Sequence, residues 1–167
     1  MHPNVRKIGV RAAIAAALLP VAGLLAGCGS SGDLKQTEAR LDAIDGVTGS
    51  FLWTSYDGAP TNQRLSARVY VDADPGENLP ALIDAGLEAV WSFTGFEPTG
   101  VGFQVVVGPR PDEPTAAGWK GRVVLEDALP DIGLDIDEVG VPSFGDVVQV
   151  PARVMVERYG DWPSGAK

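Results

Sequence analysis

The chain contains one cysteine, Cys28, and one histidine, His2. A single thiol permits no intramolecular disulfide, so any fold must be held by packing alone. Cys28 also closes an uncharged, Ala- and Leu-rich stretch, Ala12 to Gly27, behind which the composition turns mixed and polar. The cysteine thus separates a short leader from a remainder of 140 residues, a length that supports one hydrophobic core.

The leader has three parts: a basic start with Arg6, Lys7 and Arg11, the apolar stretch, and small residues Ala26 and Gly27 before Cys28. That is the layout of a cleaved export signal over residues 1–27. A membrane-spanning helix needs about 20 apolar residues. Only 16 lie between Arg11 and Cys28, interrupted by Pro20. The following Gly-Ser-Ser-Gly reads as a flexible tether, residues 28–32, leading into a single domain over 33–167.

Leu25-Ala26-Gly27-Cys28 resembles the lipobox of bacterial lipoproteins. The resemblance covers about the first 30 residues. It implies that the Cys28 sulfur carries a diacylglyceryl group and that cleavage just before it makes Cys28 the first mature residue. A lipid-anchored location on the extracytoplasmic side of a membrane follows. Each buried methylene contributes about 0.8 kcal/mol, and two acyl chains anchor stably where one does not. The resemblance gives no family for the domain behind the cysteine.

Charge and missing residue types narrow the chemistry. The chain has 13 Lys+Arg and 22 Asp+Glu, and its first 27 residues hold three of the bases and no acid. The remainder therefore carries 10 basic against 22 acidic side chains, a net charge of −12. Such a surface repels phosphate backbones and anionic headgroups, which argues against nucleic-acid binding. With His2 in the leader and Cys28 acylated, the domain has no histidine base, no Cys or Ser-His nucleophile pair and no His/Cys zinc site. No cofactor and no enzymatic activity are expected.

Hydrophobic spacing outlines the elements. Leu34, Thr37, Leu41 and Ile44 recur at helical spacing, with Asp33 placed to cap and Gly46 to stop the helix. Val47 to Tyr56 and Leu65 to Asp72 alternate as strands around a turn at 57–62, an antiparallel hairpin. Asn78 as cap and Pro80 in a first turn open a helix along Leu79, Leu82, Ile83, Leu87, Val90 and Trp91. Val101 to Val107 reads as a buried strand, the proline-rich 108–118 as an exposed loop, and Arg122 to Glu126 as a fourth strand. Asp127 to Gly133 reads as a short helix. Pro151 to Tyr159 reads as a helix ending at Gly160, with a strand over 152–158 as the competing pattern. Leu41-Asp42-Ala43-Ile44 and Leu87-Glu88-Ala89-Val90 sit at equivalent places, pointing to two αββ units. The expected fold is α+β, a four-stranded antiparallel sheet with helices on one face.

Within this frame few residues point to chemistry. Asp72, Asp74 and Glu77 alternate before Asn78 as at the start of a calcium loop, without the full spacing or the closing bidentate Glu. The structural alternative is a strand-to-helix turn whose acids favour a helix N-terminus. Asp131, Asp135, Asp137 and Glu138 form a second acidic run. Trp53 and Trp91 fall within periodic elements and are expected in the core. Trp119 and Trp162 are candidates for interface contacts or for covering the core edge. The leading expectation is a non-catalytic interaction or assembly module with an envelope protein as partner. The alternative is a small-ligand or calcium-binding module using Asp72, Asp74 and Glu77. A hydrolase built on carboxylates such as Glu126 and Asp127 ranks third, since no cleft-facing pair is evident.

Overall fold

The computed structural model describes residues 29–56, 58–113, 120–142 and 144–163. The leader, the lipobox-like Leu25, Ala26, Gly27 and Cys28, and Trp119 lie outside the described residues. Among those described, no helix is long and apolar enough to cross a membrane.

The elements are α1 (Gly29–Asp42), β1 (Val47–Tyr56), β2 (Gln63–Val71), α2 (Leu79–Trp91), β3 (Gly100–Val107), β4 (Val148–Pro151) and α3 (Ala152–Tyr159). α1 begins at Gly29, so residues 29–32 of the expected tether are its first turn and Asp33 is not its cap. This extension runs against propensity, because glycine is about 1 kcal/mol less favourable in a helix than alanine. Its far end comes earlier than expected, at Asp42; Gly46, with a φ of 83° that glycine adopts without cost, serves the following turn, closed by Val47 N–H to the Ile44 carbonyl at 3.0 Å.

The four strands form one sheet in the order β1-β2-β3-β4. β1 and β2 pair antiparallel, as the alternation predicts, in the register Phe51↔Arg68 and Trp53↔Ser66. β3 pairs with β2 in parallel, and β4 with β3 antiparallel. The expected wholly antiparallel sheet is therefore corrected to a mixed one, and the second αββ unit with it. The cause is α2. After β2 it carries the chain back along the sheet, so the next strand starts where β2 started and pairs with it as a parallel crossover.

The expected fourth strand at 122–126 is reduced to a bridge. Arg122 pairs with Val106, and Val123 N–H donates to the Val105 carbonyl at 3.0 Å. Leu125 then leaves the strand conformation for 3-10 turns at Glu126–Ala128 and Pro130–Ile132, where the sequence predicts one short helix. The true fourth strand, Val148–Pro151, occupies the same side of β3 further along and is too short to stand out by alternation. α3 follows it as a helix and ends before Gly160, in favour of the helical pattern.

One sheet face carries all three helices. Leu52, Leu65, Ala67, Val69, Phe103, Val105, Val148 and Val150 pack there against Leu41 of α1, Ile83, Leu87 and Val90 of α2 and Met155 of α3. Trp91 belongs to this core, as expected. Trp53 does not: it lies half-buried on the opposite face beside a small cluster of Phe51, Tyr70 and Val106. That face is otherwise polar, because Arg64, Ser66 and Arg68 alternate with the apolar residues of β2.

Candidate functional site

The β2–α2 connection bears the three carboxylates singled out by sequence. It is a tight turn: Asp74 Oδ1 accepts from Gly76 N–H at 3.0 Å, and Gly76–Asn78 form a 3-10 turn closed by Asn78 N–H to the Pro75 carbonyl at 2.9 Å. Asn78 therefore has helical backbone angles and its side chain makes no capping bond, contrary to expectation. A cap requires an extended backbone at that position, which the 3-10 turn denies it.

The same turn divides the carboxylates between two clefts. Asp72, at the end of β2, lines the first, with Ile44, Asp45, Val47, Val71, Leu82 and Ala85; its volume is about 830 Å³. Asp74 and Glu77 line the second, with Pro80, Arg122, Val123, Asp127 and Asp131; its volume is about 650 Å³. Alternate positions share a side only while the chain stays extended, and Pro75 turns it away. Among the described residues, no group of three or more His, Cys, Asp or Glu is arranged to hold a metal ion. The calcium geometry that Asp72, Asp74 and Glu77 suggest in sequence is not formed.

The first cleft has the better-built interior. Its floor comes from three elements: the β1 start (Val47), the β2 end (Val71) and α2 (the buried Leu82, flanked by the half-buried Ala85 and the exposed Ala81). Small side chains at Gly46, Ala73, Ala81 and Ala85 leave the space open, and the carboxylates Asp45 and Asp72 stand on the rim, both exposed. Val47 is brought in from 24 positions before Val71 and 35 before Leu82, which is why no local motif announces the cleft. An apolar floor with a few polar groups at the margin is the usual make-up of a small-molecule site, and the volume falls within the customary range of about 300–1,000 Å³.

The remaining sequence candidates are placed as follows. Trp162 is half-buried against the core and its indole N–H donates to the Phe93 carbonyl at 2.7 Å, so it covers the core edge and is no free contact residue. Glu126 and Asp127 do not face one cleft: Asp127 lines the second, while the Glu126 carboxylate lies over Gly145. In the second acidic run, Asp135 Oδ1 accepts from Asp137 N–H at 2.9 Å, and Glu138 pairs with Arg153 at 3.4 Å.

Sequence reasoning misses the polar layer on the open sheet face. Arg68 Nε donates to Gln104 Oε1 at 2.7 Å, Gln104 Nε2 to Asp146 Oδ2 at 3.1 Å, and Arg122 Nη1 to the same oxygen at 2.6 Å. Asp146 and Gln104 are both buried. Arg110 lies 3.8 Å over the Phe51 ring and its Nε donates to the Ser50 carbonyl at 2.7 Å. These bonds fasten the long β3–β4 connection across the sheet, and with it the wall of the second cleft. The only sequence sign of it is the polar half of the β2 alternation.

Comparison with known proteins finds no family model that matches the chain, no matching curated protein and no matching solved structure.

Proposed function

We propose that the chain is a lipid-anchored extracytoplasmic module that acts by binding and not by catalysis. The lipobox-like Leu25-Ala26-Gly27-Cys28 after a basic and apolar leader supports the anchor and the location. The observation that carries the binding role is the 830 Å³ cleft, apolar on its floor and carboxylate-bearing only at its rim. Polar groups so placed orient a ligand without reaching a reacting centre. The chemistry fits a small molecule with an apolar body and a cationic end, the body on Val47, Val71 and Leu82 and the charge between Asp45 and Asp72.

A homologous series of alkylammonium ions tests this by calorimetry. Affinity should rise about fourfold per added methylene, the equivalent of about 0.8 kcal/mol. Asp72→Asn should weaken every member of the series alike, and Ala85→Leu, which fills the floor, should abolish binding. An affinity independent of chain length would refute an apolar floor as the recognition element.

A protein partner is the second reading, and one observation favours it: a sheet edge that the fold leaves open.

A further inference from the structure

The outer edges of the sheet are treated differently. β4 is covered, because Gly140 and Gln149 exchange both backbone hydrogen bonds at 2.8 and 2.7 Å. β1 is the other edge. Leu52 N–H points away from β2, since it donates to Glu38 Oε1 at 2.9 Å, and the Ser50 carbonyl accepts from Arg110 on the same side. Alternation along the strand then turns the N–H and carbonyl groups of Thr54 outward as well, with the Leu52 carbonyl and Tyr56 N–H. Among the described residues, nothing bonds these four groups. An open edge of this kind is a template for another strand.

We infer that this edge pairs antiparallel with the same edge of a second copy, about a two-fold axis through Thr54. The open groups are complementary to themselves in that arrangement. Thr54 N–H meets the partner copy's Thr54 carbonyl and the reverse, and each Tyr56 N–H meets a Leu52 carbonyl. Every open donor finds an open acceptor; the Leu52 N–H, which Glu38 holds in the single copy, passes to the partner copy's Tyr56 carbonyl lying opposite it, and Ser50, beyond the paired stretch, is left as it is.

Charge selects the same partner. All ten residues of β1, Val47–Tyr56, are uncharged, and the two charged groups that bond its outward backbone, Glu38 and Arg110, are of opposite sign, in a domain whose net charge of −12 drives copies apart elsewhere. Tyr56, the last residue of this strand, is 62% exposed. The two-fold axis of an antiparallel pair stands perpendicular to the sheet, so the α1 helices of both copies lie on one side. Two anchors preceding Gly29 can therefore reach the same membrane.

Pairing over five residues buries less than the roughly 1,000 Å² of a lasting interface. The dimer thus belongs to copies concentrated at a surface, and in this respect the inference rests on the proposed anchor. The test uses the full-length chain in membranes of the expressing cell. Ser55→Cys places two thiols on the same face of the joined sheet, about 7–8 Å apart at their diagonal positions. A short bifunctional thiol reagent should convert most of this variant to a covalent dimer and leave the parent and a Glu138→Cys variant monomeric. Adding Thr54→Pro, which removes an outward N–H without touching the β2 ladder, should abolish the dimer. No Ser55→Cys dimer, equal yield from Glu138→Cys, survival of the dimer with Thr54→Pro, or capture of a different protein would each overturn self-pairing. Fractionation of the same cells reports on the anchor separately: chain in the soluble fraction sinks the anchor, whatever the crosslinking yield.

Discussion

Gly86 shows how a single position can oppose local preference. It lies in the middle of α2, where alanine would favour the helix by about 1 kcal/mol. A Cβ at this site would come within 2.3 Å of Cζ and 2.4 Å of Cε2 of the Phe103 ring, which is fully buried. The ring has no room to retreat in a close-packed core, and overpacking costs about 1–3 kcal/mol. Gly86→Ala should therefore lower stability by about 1 kcal/mol, seen as a reduced urea midpoint. Phe103→Leu in the same chain should recover part of the loss, giving a coupling energy of favourable sign. The glycine is what lets α2 lie close enough to β3 for the parallel crossover. Nothing at residue 86 in the sequence reveals it, because the ring it meets is 17 positions away.

At the scale of elements, α3 is held to α2 by a clasp of side chains. The Tyr159 hydroxyl donates to Asp84 Oδ1 at 2.6 Å, and Arg158 Nη2 approaches the same oxygen at 2.7 Å. Burial, and next the bond to Asp84, push the Tyr159 hydroxyl well above the ordinary tyrosine value of 10.0. A group whose pKa is raised on folding stabilises fully below its unfolded value and loses that contribution above it. Stability should hold to about pH 10 and fall beyond it, with a shallower fall in Tyr159→Phe. Urea midpoints between pH 8 and 12 measure both slopes. The helix itself is legible from Val154, Met155 and Arg158, as β1, β2 and α2 are from their own spacing. β4 is not, since four residues with two inward valines carry no period, and neither is the parallel pairing of β2 and β3, which is decided by where α2 delivers the chain. The acidic turn at 72–78 is legible as a turn. The cleft beside it is not, because its floor joins segments that meet only in the folded state.

For the whole molecule, the start of α1 at Gly29 sets the reach of the proposed anchor. A lipid on Cys28 would be one residue from a helix packed on the sheet, not at the end of a loose tether. Cys28→Ser should shift the chain from the membrane to the soluble fraction and leave the far-UV circular dichroism and thermal midpoint unchanged, because every described element begins at Gly29 or later. Equal retention in membranes would rule out acylation as the anchor. The last described residues act over a long range. Trp91 Nε1 donates to the Gly160 carbonyl at 2.9 Å, and Trp162 Nε1 to the Phe93 carbonyl, so both ends of each bond lie 69 positions apart. The end of α2 consequently stays unlatched until residue 162 has arrived. Under the proposed export, a polypeptide built this way would stay pliable while it is threaded through a bilayer and set only once its tail has come through.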